Sequence, residues 1–76
     1  MSGMTVYDFI TVDHYGDSPS GKTGRYEVRN NRSGGLLAII AWYGPWRQYV
    51  TYPQPNTVWS SGCLLDLADF MKGLKK

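Results

Sequence analysis

Residues 16–23 read Gly-Asp-Ser-Pro-Ser-Gly-Lys-Thr and match the consensus G-x-x-x-x-G-K-[ST] of phosphate-binding loops. In such a loop the lysine and the threonine open a helix, whose first backbone amides bind the phosphates of a nucleotide. Here Gly24 and the alternating segment 25–29 follow at once, so no helix is available. We therefore predict a flexible loop rich in glycine, serine and proline over residues 14–24, and a backbone nest that binds an anion stays open as an alternative.

Cys63 and His14 are the single cysteine and the single histidine of the chain. A nucleophilic thiolate needs a base beside it, and nothing in the sequence brings His14 to Cys63. One cysteine cannot form an intramolecular disulfide, and the two residues alone are too few for a zinc site. The six carboxylates show no spacing typical of an acid–base pair. The sequence therefore predicts a protein that is not an enzyme, has no cofactor or metal, and buries Cys63 as a structural thiol.

Large aromatic residues are concentrated between Trp42 and Trp59, a segment that holds three tryptophans and three tyrosines. So many rings cannot all be buried in a small domain, and rings left outside usually meet a ligand or a partner. About half of them are expected in the core. The residues assigned to that core are Trp42, Tyr49, Val50 and Trp59.

The remaining rings predict a binding surface. Trp46 and Arg47 follow a Gly-Pro reversal and should project near the end of a hairpin. Aromatic rings interleaved with arginine stack on bases and pair with phosphates, and the same residue types dominate the binding energy of protein interfaces. The predicted surface comprises Trp46, Arg47, Tyr49, Tyr43 and Tyr52, with Arg25 and Arg29 as accessory residues.

Strands are predicted to position this surface. The segment 25–29 alternates charged and apolar residues, which is typical of a half-buried strand with Tyr26 and Val28 inward. Residues 36–43 are continuously apolar and predict a strand covered on both faces. The full set of predicted strands is 5–13, 25–29, 36–43 and 46–52, with a short one over 57–59.

A C-terminal helix is predicted after Ser60 or Ser61, either of which can cap it. Its apolar stripe is expected to contain Leu64, Leu67, Ala68, Met71 and Leu74, flanked by Cys63 and Phe70. The resulting fold is a single α+β domain over residues 1–76. We expect a small antiparallel meander of three or four strands, with the helix packed on one face.

Charge and size restrict the function further. The net charge of +2 is mildly basic and falls short of the dense basic face of a dedicated duplex binder. A chain of 76 residues builds only a small core, which favours self-association. The chain contains no apolar run that spans a membrane, its N-terminus lacks the order of a signal peptide, and its thiol is unpaired. We expect a cytoplasmic protein without a membrane partner.

The segments 42–50, 56–59 and 63–71 carry a resemblance to known proteins. Their sequences are Trp-Tyr-Gly-Pro-Trp-Arg-Gln-Tyr-Val, Asn-Thr-Val-Trp and Cys-Leu-Leu-Asp-Leu-Ala-Asp-Phe-Met. Over roughly residues 25–74 the chain resembles small proteins of unassigned role encoded by bacteriophages and prophages. The resemblance implies a phage origin and action in the cytoplasm of an infected or lysogenic bacterium. Small phage proteins of this kind often act by binding, and block host defence proteins, sequester nucleotide signals or occupy nucleic acid.

Two classes of function follow from these observations. The first is a non-catalytic binding protein that acts by stoichiometric capture or blockade of a host protein or a nucleotide-type small ligand, as an anti-defence protein would. The second is a small nucleic-acid-binding module that uses its sheet. The predicted architecture is similar to the arm-binding domains of phage integrases, which lay a sheet in the DNA major groove. The modest charge and the apolar segment 36–43 favour the first class.

Overall fold

The chain folds as an antiparallel meander followed by one helix. The computed structural model describes residues 4–74, and within them five strands form one sheet in which each strand pairs with its neighbours in sequence. The elements are β1 (Met4–Val6), β2 (Ile10–Asp17), β3 (Gly24–Asn30), β4 (Leu36–Tyr43), β5 (Gln48–Pro53) and α1 (Ser61–Lys72). The α+β class, the meander and the C-terminal helix are confirmed, but the sheet has five strands where three or four were predicted.

The additional strand arises because the predicted strand 5–13 is broken by a turn. The amide of Tyr7 donates to the carbonyl of Ile10 at 2.8 Å, and β1 folds back on β2 as a hairpin. Two residues that are distant in the sequence stabilise this turn. The Asn31 side chain donates to the Tyr7 carbonyl at 2.8 Å, and the Phe9 amide donates to the Asp66 carboxylate at 3.0 Å. Contacts with residues so far along the chain override the local preference for one extended strand.

The predicted loop 14–24 is shorter in the structure, because β2 continues through residues 14–17. The pairing register between β2 and β3 shifts between His14 and Gly16, which leaves Tyr15 as a bulge residue. Beyond the bulge, Asp17 still pairs with Gly24. Only residues 18–23 remain outside the two strands.

The last strand, β5, begins two residues later than predicted. Gly44–Trp46 form one 3-10 turn, and Arg47 then adopts a positive φ of 53° before β5 starts. The predicted strand over 57–59 is wrong, since those residues have no strand structure. The chain turns there instead: Asn56 has a φ of 60°, and the Thr57 hydroxyl donates to the Gln54 carbonyl at 2.8 Å.

The core lies between one face of the sheet and α1. Val12, Val28 and Ala38 are in register across three neighbouring strands and are buried, as are Ile10 and Ile40. The helix adds Cys63 and Leu67 to the same cluster. Two predictions are confirmed here: Val28 points inward, and the Cys63 thiol is buried.

The helix begins as predicted but presents a different stripe to the sheet. Its cap is Ser60, whose hydroxyl accepts a hydrogen bond from the Cys63 amide at 3.2 Å. The residues that pack on the core are Cys63, Leu67, Phe70, Met71 and Leu74, whereas Leu64 and Ala68 are exposed. A close contact in the first turn of α1 accounts for this difference. Gly62 packs against the Phe9 ring, and a Cβ on residue 62 would lie 2.5 Å from a carbon atom of that ring. This contact turns Cys63, and not Leu64, toward the sheet.

The opposite side of the sheet, here called the open face, is covered by no other element of residues 4–74. The prediction that residues 36–43 are covered on both faces is therefore wrong. Ile40 is fully buried on the helix side, while Ile39 and Ala41 on the open face are only half-buried. An apolar run thus marks a strand whose second face is available for contact.

An aromatic cluster closes one end of the core around Tyr26. The Tyr26 ring lies 5.3 Å from that of Phe70 and 6.2 Å from that of Tyr49, both edge-on, and 5.0 Å from the His14 ring. Burial raises the pKa of Tyr26 above its usual 10.0, and the negative charges of an ionised Tyr49 and of Asp17 raise it further. The folded state therefore favours the protonated phenol.

This shift predicts a loss of stability at alkaline pH. A raised folded pKa contributes stability that is present below the unfolded pKa of about 10 and is lost as pH rises through the folded value. We expect Tyr26→Phe to unfold at a urea concentration close to that of the wild type at neutral pH. Above about pH 10, the free energy of unfolding should fall less steeply in the variant. Tyr15→Phe, on the open face, is the matched control, and equal slopes for Tyr26→Phe and wild type would contradict the assignment.

Candidate binding surface

The register between β4 and β5 brings part of the predicted aromatic surface together on the open face. Three cross-strand pairs have their side chains on this face, namely Tyr43 with Gln48, Ala41 with Val50, and Ile39 with Tyr52. They alternate with Trp42, Ile40, Tyr49 and Thr51, which lie on the helix side. Tyr43 and Tyr52 therefore lie on the same face. Val50, predicted for the core, lies on the open face instead, because it pairs with Ala41.

Trp46 extends this surface from the turn between the strands. Its side chain is 65% exposed, and its ring lies edge-on to Tyr43 with centroids 5.2 Å apart. Trp46 and Tyr43 line a depression of about 290 Å³ together with Val50, Thr51 and Tyr52. The 3-10 turn therefore returns the indole to the end of β4 and β5, where it contacts the open face.

A second depression of about 400 Å³ continues the surface toward β2. Its lining includes Tyr15, Arg25, Ile39, Ala41 and Tyr52. Tyr52 borders both depressions, which makes them one continuous surface. Tyr15 is 46% exposed and lines this depression, but it was absent from the predicted surface because it falls in the predicted loop 14–24.

Charges of both signs lie on the β2 and β3 part of the open face. Arg29 donates to the Glu27 carboxylate at 3.1 Å and to the Gly34 carbonyl at 3.2 Å. Asp13 pairs with Glu27 across the strands and so lies on the same face. Arg25 forms no ion pair with any residue in the range 4–74. Of the two accessory arginines, Arg25 is the one whose guanidinium is available to a partner.

Tyr49 does not belong to this surface. Its hydroxyl accepts a hydrogen bond from the Gly24 amide at 3.3 Å, and its ring lies edge-on to Trp42 with centroids 5.4 Å apart. Both contacts are on the helix side of the sheet, where Tyr49 packs against the core. Tyr49 was predicted both for the core and for the binding surface; these contacts make it a structural residue of the core side and remove it from the surface.

Arg47 is separated from Trp46 although the two are adjacent in sequence. Arg47 lines a groove of about 570 Å³ between β5 and the C-terminal half of α1, which also includes Tyr49, Met71 and Lys72. The positive φ of Arg47 marks the point where the chain passes from the turn into β5. Only Trp46 lines the depression on the open face, so the predicted pair is divided between two sides of the molecule.

Three exposed apolar residues lie outside the sheet, in α1 and in the segment before it. Val58 is 85% exposed, and Leu64 and Leu65 of α1 are also exposed. We call these three residues the outer helix surface. None of them lines either depression of the open face, and they serve below as controls.

Among residues 4–74, no three His, Cys, Asp or Glu side chains cluster as metal ligands, and no helix is both long and apolar enough to cross a membrane. Comparisons of the chain with models of protein families, with curated protein sequences and with solved structures gave no match.

Proposed function

We propose that this chain is a non-catalytic binding protein that captures or blocks a protein partner through the open face. The observation that carries the proposal is the continuous exposed surface made by Trp46, Tyr43 and Tyr52 across two adjoining depressions. Tryptophan and tyrosine at the centre of a contact, with arginine beside them, are the residue types that contribute most to protein–protein affinity. Exposed aromatic area of this kind marks a site of interaction.

The charge pattern favours a protein partner over a polyanion. Glu27 lies between Arg25 and Arg29 on β3, and Asp13 stands opposite Glu27. Carboxylates in this position repel phosphates, whereas protein interfaces match charges of both signs. The mixed pattern would contribute specificity at the rim, around an aromatic centre.

The identity of the partner is proposed from the resemblance to phage proteins over residues 25–74. It supports action in the cytoplasm of a bacterial host, with a component of host defence as the captured protein. Stoichiometric capture requires no turnover, and it therefore suits a chain whose one cysteine is buried away from solvent.

Single-stranded nucleic acid is the second candidate for the same surface. The observation in its favour is the placement of Tyr15, Tyr52 and Trp46 on one sheet face with Arg25 between two of them. Sheet modules that bind single strands stack successive bases on such rings. Affinity for nucleic acid would fall steeply as salt rises, because phosphate contacts release counterions.

Native mass spectrometry of tagged protein recovered from a bacterial lysate tests the proposal. We expect one defined protein at a fixed ratio to this chain, retained at moderate salt and absent when the bait is Tyr52→Ala. Arg32→Ala removes a charge in the turn between β3 and β4, away from both depressions, and should retain the passenger. A passenger that survives in Tyr52→Ala would contradict the proposal, and a passenger of nucleic acid lost at high salt would favour the second candidate.

A further inference from the structure

A separate concave site lies at the end of the sheet, between the loop 18–23 and strands β3 and β4. Its volume of about 430 Å³ is within the range of small-molecule pockets. The side chains that matter for its chemistry are Trp42, Lys22, Arg25, Ser18 and Ser20. Arg25 and Trp42 also border the second depression of the open face, whereas Lys22, Ser18 and Ser20 line this pocket and neither depression.

Hydrogen bonds within the loop fix the wall of this pocket. The Ser18 amide donates to the Thr23 carbonyl at 2.8 Å, and the Gly21 amide donates to the Ser18 carbonyl at 2.8 Å. Gly21 has a φ of 73°, which favours glycine at the tip of the turn. The Ser18 and Ser20 hydroxyls lie 3.1 Å apart, and the Ser20 hydroxyl also accepts from the Lys22 amide at 3.3 Å. One of the two hydroxyls can donate to the other, which leaves the second O–H able to donate to a ligand.

The charge of the pocket is positive. Lys22 and Arg25 both line it, and neither is paired with a carboxylate of residues 4–74. The nearest acidic residue in sequence, Asp17, is not part of the lining and lies 3.0 Å from the His14 imidazole. Two unpaired cations around one cavity attract an anion.

The aromatic wall adds a second requirement on the ligand. Trp42 is half-buried, its ring lies edge-on to Tyr49, and it is one of the residues that line the pocket. An indole offers a surface on which a planar ring stacks. We propose that this pocket binds a nucleotide unit, with the base against Trp42 and the phosphate between Lys22 and Arg25.

This site is not a phosphate-binding loop of the nucleotide-hydrolysing type, although residues 16–23 match its consensus. β3 begins at Gly24, directly after Lys22 and Thr23, so no helix amides face the phosphate. Side-chain cations hold the anion instead. Binding without hydrolysis is the expected outcome.

Titration of labelled protein with AMP, followed by NMR, tests the inference. We expect shifts of the Trp42 indole N–H and of the amides of residues 18–23, with weaker effects from adenosine and from inorganic phosphate. Lys22→Ala and Arg25→Ala should each raise the Kd about tenfold, since a charge-assisted hydrogen bond is lost. Arg32→Ala, with the same change of charge outside the pocket, should bind as the wild type does.

A second ligand, a short 5′-phosphorylated oligonucleotide, distinguishes the two possible sources of the nucleotide unit. Stronger shifts with AMP would assign a free nucleotide, and stronger shifts with the oligonucleotide would assign the end of a nucleic-acid strand; both support the site. Absence of shifts at millimolar concentration of either ligand, or unchanged binding in Lys22→Ala, would overturn it. Lys22 is an exposed loop residue, so its replacement leaves the fold and the open face intact.

Discussion

Replacing Trp46 by alanine is expected to weaken binding of the captured partner by about 30-fold or more, with little change in stability. The magnitude follows from a central aromatic contact, whose truncation typically costs about 2 kcal/mol or more. The ring is mostly in solvent and rests on Tyr43, outside the core. Its loss therefore removes contact area from the partner and leaves the packing between sheet and helix unchanged.

The measurement is the Kd of purified partner for each variant, together with thermal unfolding followed by circular dichroism. Val58→Ala, which truncates an even more exposed apolar side chain on the outer helix surface, is the control and should bind normally. Trp46→Phe should retain part of the affinity because it keeps an aromatic ring. Unchanged affinity in Trp46→Ala would show that the partner binds elsewhere, and unfolding of this variant would make the ring a structural residue.

Alanine substitutions at the adjacent residues Ile40 and Ile39 should distinguish an effect on stability from an effect on partner binding. Ile40 is completely buried between sheet and helix, so Ile40→Ala should lower the free energy of unfolding by about 2–5 kcal/mol. That is comparable with the roughly 3–5 kcal/mol that a core of this size provides, and a large unfolded fraction is expected. Ile39→Ala makes the same chemical change on the open face, where the side chain is only half-buried and lines the second depression.

We expect Ile39→Ala to be much less destabilising than Ile40→Ala and to weaken partner binding. Urea unfolding gives the first quantity and titration with the partner gives the second. Equal losses of stability in the two variants would show that another layer covers the open face. Normal partner affinity in Ile39→Ala would confine the contact to the depression around Trp46.

Local signals made much of the fold predictable. The alternation around Val28 and the serine before the helix each determine structure through their immediate neighbours. These features were predicted correctly, because the periodicity of a strand and the geometry of a cap need no distant contact.

The errors arise where distant parts of the chain determine the outcome. The turn at residues 7–9 depends on hydrogen bonds from Asn31 and to Asp66. The rotation of α1 depends on the packing of Gly62 against Phe9. Neither contact leaves a local pattern in the sequence, which explains both the missing strand and the incorrect apolar stripe.

The candidate site was predictable in composition but not in arrangement. Trp46, Tyr43 and Tyr52 do lie together, because alternation along β4 and β5 and the short turn between them determine their side. Tyr49 lies on the other side because it is three residues from Tyr52 in the same strand, and Arg47 precedes that strand and lines a different groove. Tyr15 joins the surface because β2 continues into the segment that was predicted to be a loop.

Hydroxyl-radical footprinting of the complex tests most directly whether the partner covers the open face. We expect Trp46, Tyr52 and Tyr15 to become protected when the partner binds, while Val58 and Leu65 of the outer helix surface react as in the free protein. Protection of Val58 and Leu65, with Trp46 and Tyr52 as reactive as before, would contradict this expectation.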